Sequence, residues 1–141
     1  MREITLSDEE IRRIRVASDV TKVDILDCVE ADDRIVFVVR KGLIGFALGK
    51  NARNLEILRN LFKKNIWFVE FDENEENFIR NLFKPFEVKS VTIERVGNRN
   101  VAKVEVKQRE KSRIIGKGGK NVQLMRALAK RHSSIDDIQI L

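Results

Sequence analysis

The sequence RIIGKGGKN at residues 113–121 joins an apolar segment, a glycine turn and the start of a basic helix. A related stretch, FALGKNARN, occupies residues 46–54. The thirteen residues that begin at Gly49 align without gaps on the thirteen that begin at Gly116, and five of them are identical. The offset of 67 residues is close to half of the 141-residue chain, so the sequence predicts two tandem copies of one small unit.

Both halves show the same order of predicted elements around these turns. Ser7 and Glu10 form a capping-box pattern at the start of the first helix, and Pro85 ends the helix that opens the second half. Amphipathic helices follow both turns. Each half therefore reads α-β-β-α-α-β, and we expect domains at residues 1–71 and 72–141. Alternating or β-branched apolar residues predict strands at residues 23–30, 34–39, 66–71, 88–96, 101–107 and 135–140.

Positive charge is concentrated around the two turns. The whole chain has a net charge of +6. Residues 40–64 hold seven basic residues against one acid, and residues 98–131 hold eleven against two, so the remaining residues are net acidic. Charge runs are usually solvated helix faces. Two basic segments on an acidic body are, however, also the pattern expected of a protein that binds a polyanion.

Several functional classes are excluded by what the sequence lacks. No apolar run approaches the ~20 residues of a membrane helix and no apolar signal segment opens the chain, so we expect a cytoplasmic protein that binds no membrane. Cys28 is the only cysteine and His132 the only histidine, so no metal site or cofactor is predicted. The turns lack P-loop spacing and no nucleophile–base pair can be assembled, so we expect no catalytic residues and no enzyme.

The two glycine turns have the chemistry of a phosphate site. Glycine permits a tight turn and a close approach of the backbone to a ligand. The helix that follows directs its free N–H groups and the positive end of its dipole towards the turn. Lys50, Lys117 and Lys120 add mobile positive charge at the same place.

Two copies of α-β-β-α-α-β with a G-x-x-G turn between the central helices resemble type II KH domains. Their spacing over the whole chain is similar to that of the archaeal-type NusA family, through GLIGFALGKN at residues 42–51 and RIIGKGGKN at residues 113–121. The resemblance implies an α+β fold of two tandem type II KH domains, each a three-stranded mixed sheet covered by helices. It also implies a transcription termination/antitermination factor. Its partner would be single-stranded RNA, with the transcription complex as a further candidate partner.

The resemblance also assigns the contacts with RNA residue by residue. A KH turn clamps the backbone of about four nucleotides, while the bases lie along an adjacent apolar groove. Groove candidates by position are Ile115, Val122 and Met125 in the second copy, with Leu48, Leu55 and Leu58 in the first. The RNA-binding residues implied are Gly49, Lys50, Asn51, Ala52 and Arg53 in the first copy, and Arg113, Ile115, Gly116, Lys117, Gly118, Gly119, Lys120, Asn121 and Val122 in the second.

The two copies are not equivalent in sequence. Ala52 replaces the second glycine of the first turn, and its Cβ is expected either to hinder the approach of RNA or to require a φ below zero. We therefore expect the second copy to bind RNA more tightly. No aromatic residue follows Phe86, so recognition there should rest on phosphate, aliphatic and polar contacts and weaken steeply with salt.

Two other functions remain open at this point. The first is a KH RNA-binding protein in ribosome assembly or RNA decay, which the co-purifying RNAs would distinguish. The second is a protein-interaction module that has lost RNA binding, which a titration with single-stranded RNA would identify. In each case we expect a monomer.

Overall fold

A computed structural model of the chain describes residues 4–31 and 33–141. It divides into two compact units, Ile4–Phe71 and Asp72–Leu141. Within the described residues each unit runs α-β-β-α-α-β and contains a three-stranded sheet with one antiparallel and one parallel pair of strands. The α+β class and the tandem arrangement of KH units are therefore confirmed.

In the first unit the central strand is β2, which is antiparallel to β1 and parallel to β3. The capping box predicted for α1 is present. Ser7 Oγ accepts the Glu10 N–H at 3.1 Å, and Glu10 Oε1 accepts the Ser7 N–H at 2.8 Å. The elements are α1 (Asp8–Thr21), β1 (Ile25–Ala31), β2 (Arg34–Val39), α2 (Ile44–Leu48), α3 (Arg53–Phe62) and β3 (Asn65–Glu70).

The core of the first unit surrounds β2, whose six residues are all buried. The ring of Phe37 is fully enclosed, and the rings of Phe62 and Phe68 lie 6.1 Å and 5.9 Å from it. Ala47 in α2 and Leu58 in α3 are also fully buried in this cluster. Because α2 and α3 are both anchored in the core, the turn between them starts and ends on fixed points.

The second unit repeats this arrangement. Strand β5 is central, antiparallel to β4 through a turn at Gly97 and parallel to β6. Asn74 caps the first helix of the unit by accepting the Asn77 N–H at 2.9 Å. The elements are α4 (Glu75–Phe83), β4 (Val88–Val96), β5 (Arg99–Val106), α5 (Lys111–Ile115), α6 (Lys120–His132) and β6 (Asp137–Ile140).

Helix α6 is tied to the sheet by packing and by a guanidinium. Met125 and Leu128 are 2% exposed, and the ring of His132 lies edge-on to Phe78 at 6.0 Å. Arg126 donates two hydrogen bonds, of 3.1 Å and 2.9 Å, to the carbonyl of Ile138 in β6. The start of α6, where the second glycine turn ends, is therefore held in place by the body of the unit.

The predicted strand bounds are close to those observed. Strands β2 and β4 have the predicted bounds, and the other four differ by at most two residues at either end. The short apolar segments that precede the turns are the helices α2 and α5.

Candidate nucleic-acid interface

The second glycine turn joins α5 to α6 through three glycines with positive φ. Gly116 leaves α5 with φ 80° and ψ 166°, and Gly118 and Gly119 follow with φ 65° and 77°. The Gly116 N–H donates to the Ser112 carbonyl, and the Gly119 N–H donates to the Gly116 carbonyl, each at 3.0 Å. These bonds fix the backbone between the two helices.

The first turn has the same backbone although two of its glycines are replaced. Gly49 has φ 76° and ψ 175°, and Asn51 and Ala52 both have φ 56°. The Gly49 N–H donates to the Gly45 carbonyl, and the Ala52 N–H donates to the Gly49 carbonyl, each at 3.1 Å. The expectation that Ala52 could require a φ below zero is therefore wrong. A left-handed alanine costs roughly 1–2 kcal/mol, so this turn keeps its shape at a cost in stability.

One asparagine side chain in each unit packs against the first glycine of the turn and donates a hydrogen bond to the helix that precedes it. Asn121 Nδ2 donates to the Arg113 carbonyl at 3.2 Å, and a Cβ on Gly116 would lie 2.7 Å from Asn121 Cγ. In the first unit Asn54 Nδ2 reaches the Phe46 carbonyl at 3.4 Å, and a Cβ on Gly49 would lie 2.9 Å from that nitrogen. The first glycine of each turn is thus required by the asparagine packed against it.

This contact changes the interpretation of the asparagines. The resemblance implied that Asn121 touches RNA, whereas its amide nitrogen contacts the backbone of α5. Sequence reasoning did not assign any role to Asn54. The signal was present, because this asparagine is one of the five identical positions between the two copies.

The helices that leave the turns differ at their N-termini from the helices that open each unit. Side chains of Ser7 and Asn74 cap α1 and α4. By contrast, the N-cap residues of α3 and α6 are Ala52 and Gly119, and neither supplies a side-chain cap. The N–H of the first residue of each helix donates to a carbonyl of the turn, Arg53 to Lys50 and Lys120 to Lys117. What these helix ends offer an anion is therefore the positive end of the helix dipole.

Three cations at the turns have no carboxylate partner among the described residues. Lys50, Arg53 and Lys117 are exposed, and within residues 4–31 and 33–141 the structure gives none of them an ion pair. Lys120 is exposed as well. Other basic side chains of the two basic segments are ion-paired, namely Arg40, Lys64, Arg99, Lys103, Lys107 and Arg126. Part of the positive charge that no carboxylate compensates therefore lies at the turns.

Paired carboxylates neutralise the body of each unit. Glu30 accepts hydrogen bonds from Lys64 and Arg13, which lower the pKa of its carboxyl group. In the second unit the hydrogen bond from Lys107 lowers the pKa of Glu87. These groups stay ionised at neutral pH and keep their basic partners occupied.

The apolar groove candidates separate into two groups. Ile115 is half-buried, as are Leu48 and Leu55 in the first unit, so each presents some surface beside its turn. Val122 is 5% exposed, and Met125 and Leu58 are buried as well. The prediction that these three line an open groove is not supported, because their side chains are used in the cores.

Two further observations concern other kinds of site. Among the described residues, no group of three or more His, Cys, Asp or Glu side chains could hold a metal ion. No helix in the part of the chain that the structure describes is both long and apolar enough to cross a membrane.

Two repeated units, each with a glycine turn between its second and third helices, define a tandem KH protein. Residues 75–140 match the family described as NusA-like second KH domain. The chain belongs to the archaeal-type NusA family. It is 33% identical over 141 residues to the probable transcription termination protein NusA of Methanocaldococcus jannaschii, covering all of this chain and 77% of that protein.

Other relatives extend this match. The protein of the same name from Halobacterium salinarum is 35% identical over 137 residues, which are 97% of this chain and 98% of that protein. A solved structure described as "Crystal structure of APE1850" superposes with a TM-score of 0.80 at 29% identity, covering 96% of this chain and all of that one. The likeness therefore includes both units.

Proposed function

We propose that this protein is a transcription termination/antitermination factor that grips single-stranded RNA through its two glycine turns. It acts without catalysis, as a cytoplasmic monomer. The observation that carries the proposal is the repeated turn: two closely similar backbone conformations, each with an exposed lysine and each followed by a helix with no side-chain cap. The role in transcription is supported by the relatives, which carry the name probable transcription termination protein NusA.

Different residues of the turns would contact different parts of the RNA. The positive ends of the α3 and α6 dipoles would face the phosphate oxygens, because no side-chain cap occupies either helix end. Lys50, Arg53, Lys117 and Lys120 would add charge, while Asn51, Arg113 and Ile115 would lie beside the bases. Asn121 and Val122 would support the shape of the turn and would not contact the RNA directly.

A fluorescence-anisotropy titration with labelled single-stranded RNA at several salt concentrations tests this proposal. Changing Lys117 to Glu should weaken binding by about tenfold or more, because an exposed charge-assisted contact is replaced by repulsion. Removal of one phosphate contact should also reduce the slope of log affinity against log salt by about 0.7.

Lys89→Glu is the matched control. Lys89 is an exposed lysine on β4 in the same unit, so the variant has the same change in net charge. If both variants weaken binding equally, RNA recognises only total charge and the turn has no special role. If the unmodified protein binds no single-stranded RNA at any salt concentration, the function is instead that of a protein-interaction module.

A further inference from the structure

Phe46 is an aromatic residue that the fold leaves outside the core. The chain has nine aromatic residues, all of them described, and Phe46 alone is exposed, with 70% of its surface accessible. Single exposed apolar residues are common on protein surfaces, so exposure alone assigns no role. The position of Phe46 beside the first glycine turn is what distinguishes it.

The backbone of Phe46 is fixed next to that turn. Its neighbour Ala47 is fully buried, which anchors α2 in the core. The Asn54 amide donates to the Phe46 carbonyl at 3.4 Å, and the same amide nitrogen lies 2.9 Å from where a Cβ on Gly49 would stand. A single side chain therefore contacts the backbone of Phe46 and packs against the first residue of the turn, so the residue that carries the exposed ring is held next to the proposed phosphate site.

The charge around this ring matches a polyanion. Residues 40–55 contain four basic residues and no acidic one. Lys50 and Arg53 are exposed and, within residues 4–31 and 33–141, make no ion pair. A nucleobase combines an apolar face with an attached phosphate, and that combination fits an exposed ring in a segment that carries unpaired cations. An apolar face of a protein partner would need no such charge.

We propose that Phe46 is a stacking platform for an unpaired base of the RNA whose phosphate binds the first turn. This inference rests on the proposed function and adds a base contact to it. The equivalent residue of the second unit is Arg113, whose guanidinium lies 5.5 Å from the ring of Phe86. The two units therefore differ in how they meet a base: the first offers an aromatic face and the second a guanidinium.

Titration of Phe46 variants with single-stranded RNA tests the platform. Alanine substitution of a stacking aromatic typically weakens binding by about 5- to 150-fold per base. Phe46→Leu should show a loss of that order although it keeps an apolar side chain, and Phe46→Trp should retain the affinity. The slope of log affinity against log salt should stay the same in both variants, because the ring has no charge.

Leu61→Ala is the matched control. Leu61 is also exposed, at 57%, and lies near the C-terminal end of α3, whereas the first turn lies at the N-terminal end of that helix. It should bind RNA as the unmodified protein does. An RNA that carries 2-aminopurine gives a direct readout, because its fluorescence should be quenched on binding and less so with Phe46→Leu. Circular dichroism should show that all variants are folded.

Three results would overturn the platform. If Phe46→Leu binds RNA like the unmodified protein while Lys117→Glu binds weakly, the proposed function stands and Phe46 is no platform. If Phe46→Leu instead changes a dimer into a monomer in sedimentation, the ring binds a second copy of the chain. If the unmodified protein binds no single-stranded RNA, the proposed function fails together with the platform.

Discussion

The left-handed alanine of the first turn makes a quantitative prediction. Ala52 has φ 56° and Gly119, its equivalent in the second unit, has φ 77°. Changing Ala52 to Gly should remove a strain of roughly 1–2 kcal/mol. Against this, glycine increases the entropy of the unfolded chain, which costs about 0.4–1 kcal/mol. With the midpoints of both ranges, about 1.5 less about 0.7, the net expectation is a stabilisation of the first unit by about 0.8 kcal/mol.

The reverse change in the second unit should have the opposite sign. A Cβ on Gly119 would have 3.9 Å to its nearest neighbours, so Gly119→Ala introduces no clash and only the strain of a positive φ. It should destabilise the second unit by about 0.5–1 kcal/mol. For a unit of this size 1 kcal/mol corresponds to about 4–8 °C in Tm. Differential scanning calorimetry of both variants beside the unmodified protein therefore resolves the effect.

Gly45→Ala is a control for Gly119→Ala, because the same substitution should raise stability here and lower it there. Gly45 lies within α2, has no positive φ and would meet nothing within 4 Å of an added Cβ. Alanine there should stabilise the first unit by about 0.5–1 kcal/mol, because a helix disfavours glycine by that amount. Gly119→Ala and Gly45→Ala thus both have space and differ in φ. If Ala52→Gly lowers the Tm, or Gly119→Ala leaves it unchanged, the strain argument is refuted.

Three further predictions follow from the same contacts. Lys117→Asp should weaken binding of single-stranded RNA more than Lys50→Asp in anisotropy titrations, and an equal loss would contradict the ranking of the two units. Asn121→Ala should lower both the Tm and the RNA affinity, because the α5 carbonyl loses its donor, whereas an unchanged affinity would mean that the turn holds its shape without it. The Lys64 hydrogen bond lowers the pKa of Glu30, so its stabilisation is present above the unfolded pKa near 4.5 and is lost as the pH falls through the folded pKa. Acid unfolding of Lys64→Met should show a smaller loss of stability across that range, and an identical acid profile would remove Glu30 from the explanation.

The fold could be predicted from sequence because its signals are local and occur twice. The Ser7–Glu10 capping box set the start of α1, and β-branched runs gave β2 and β4 their observed bounds. The repeat gave evidence that a single copy could not give, because the glycine turn falls at the same place in the predicted element order of both halves. Bounds shifted mainly where a strand begins beside a turn, as β1 does after the left-handed Lys22.

The site was less predictable because burial depends on contacts between distant parts of the chain. Val122 and Ile115 are both apolar and both close to the second turn, yet one is in the core and the other is half-exposed. Helix α2 has only five residues, too few for a periodic pattern to show which way Phe46 faces. Ion pairing could not be predicted either. Arg126 and Lys117 look alike in a charge count, but among the described residues only Arg126 has a carboxylate partner.

Comparison of the two turns distinguishes the residues that fix the backbone of the turn from the residues whose side chains would face a ligand. Gly49 and Asn54 in one unit, and Gly116 and Asn121 in the other, contact each other in the same way, and both pairs occur in sequence positions that the copies share. The third and fourth turn residues differ between the copies, yet the φ values stay left-handed, so these positions are set by the turn and not by their own preference. A unit can therefore change the side chains around its turn while it keeps the backbone shape of the turn, at a cost of roughly 1–2 kcal/mol for a left-handed alanine. Divergence between the copies should accordingly affect base recognition before it affects binding of the RNA backbone.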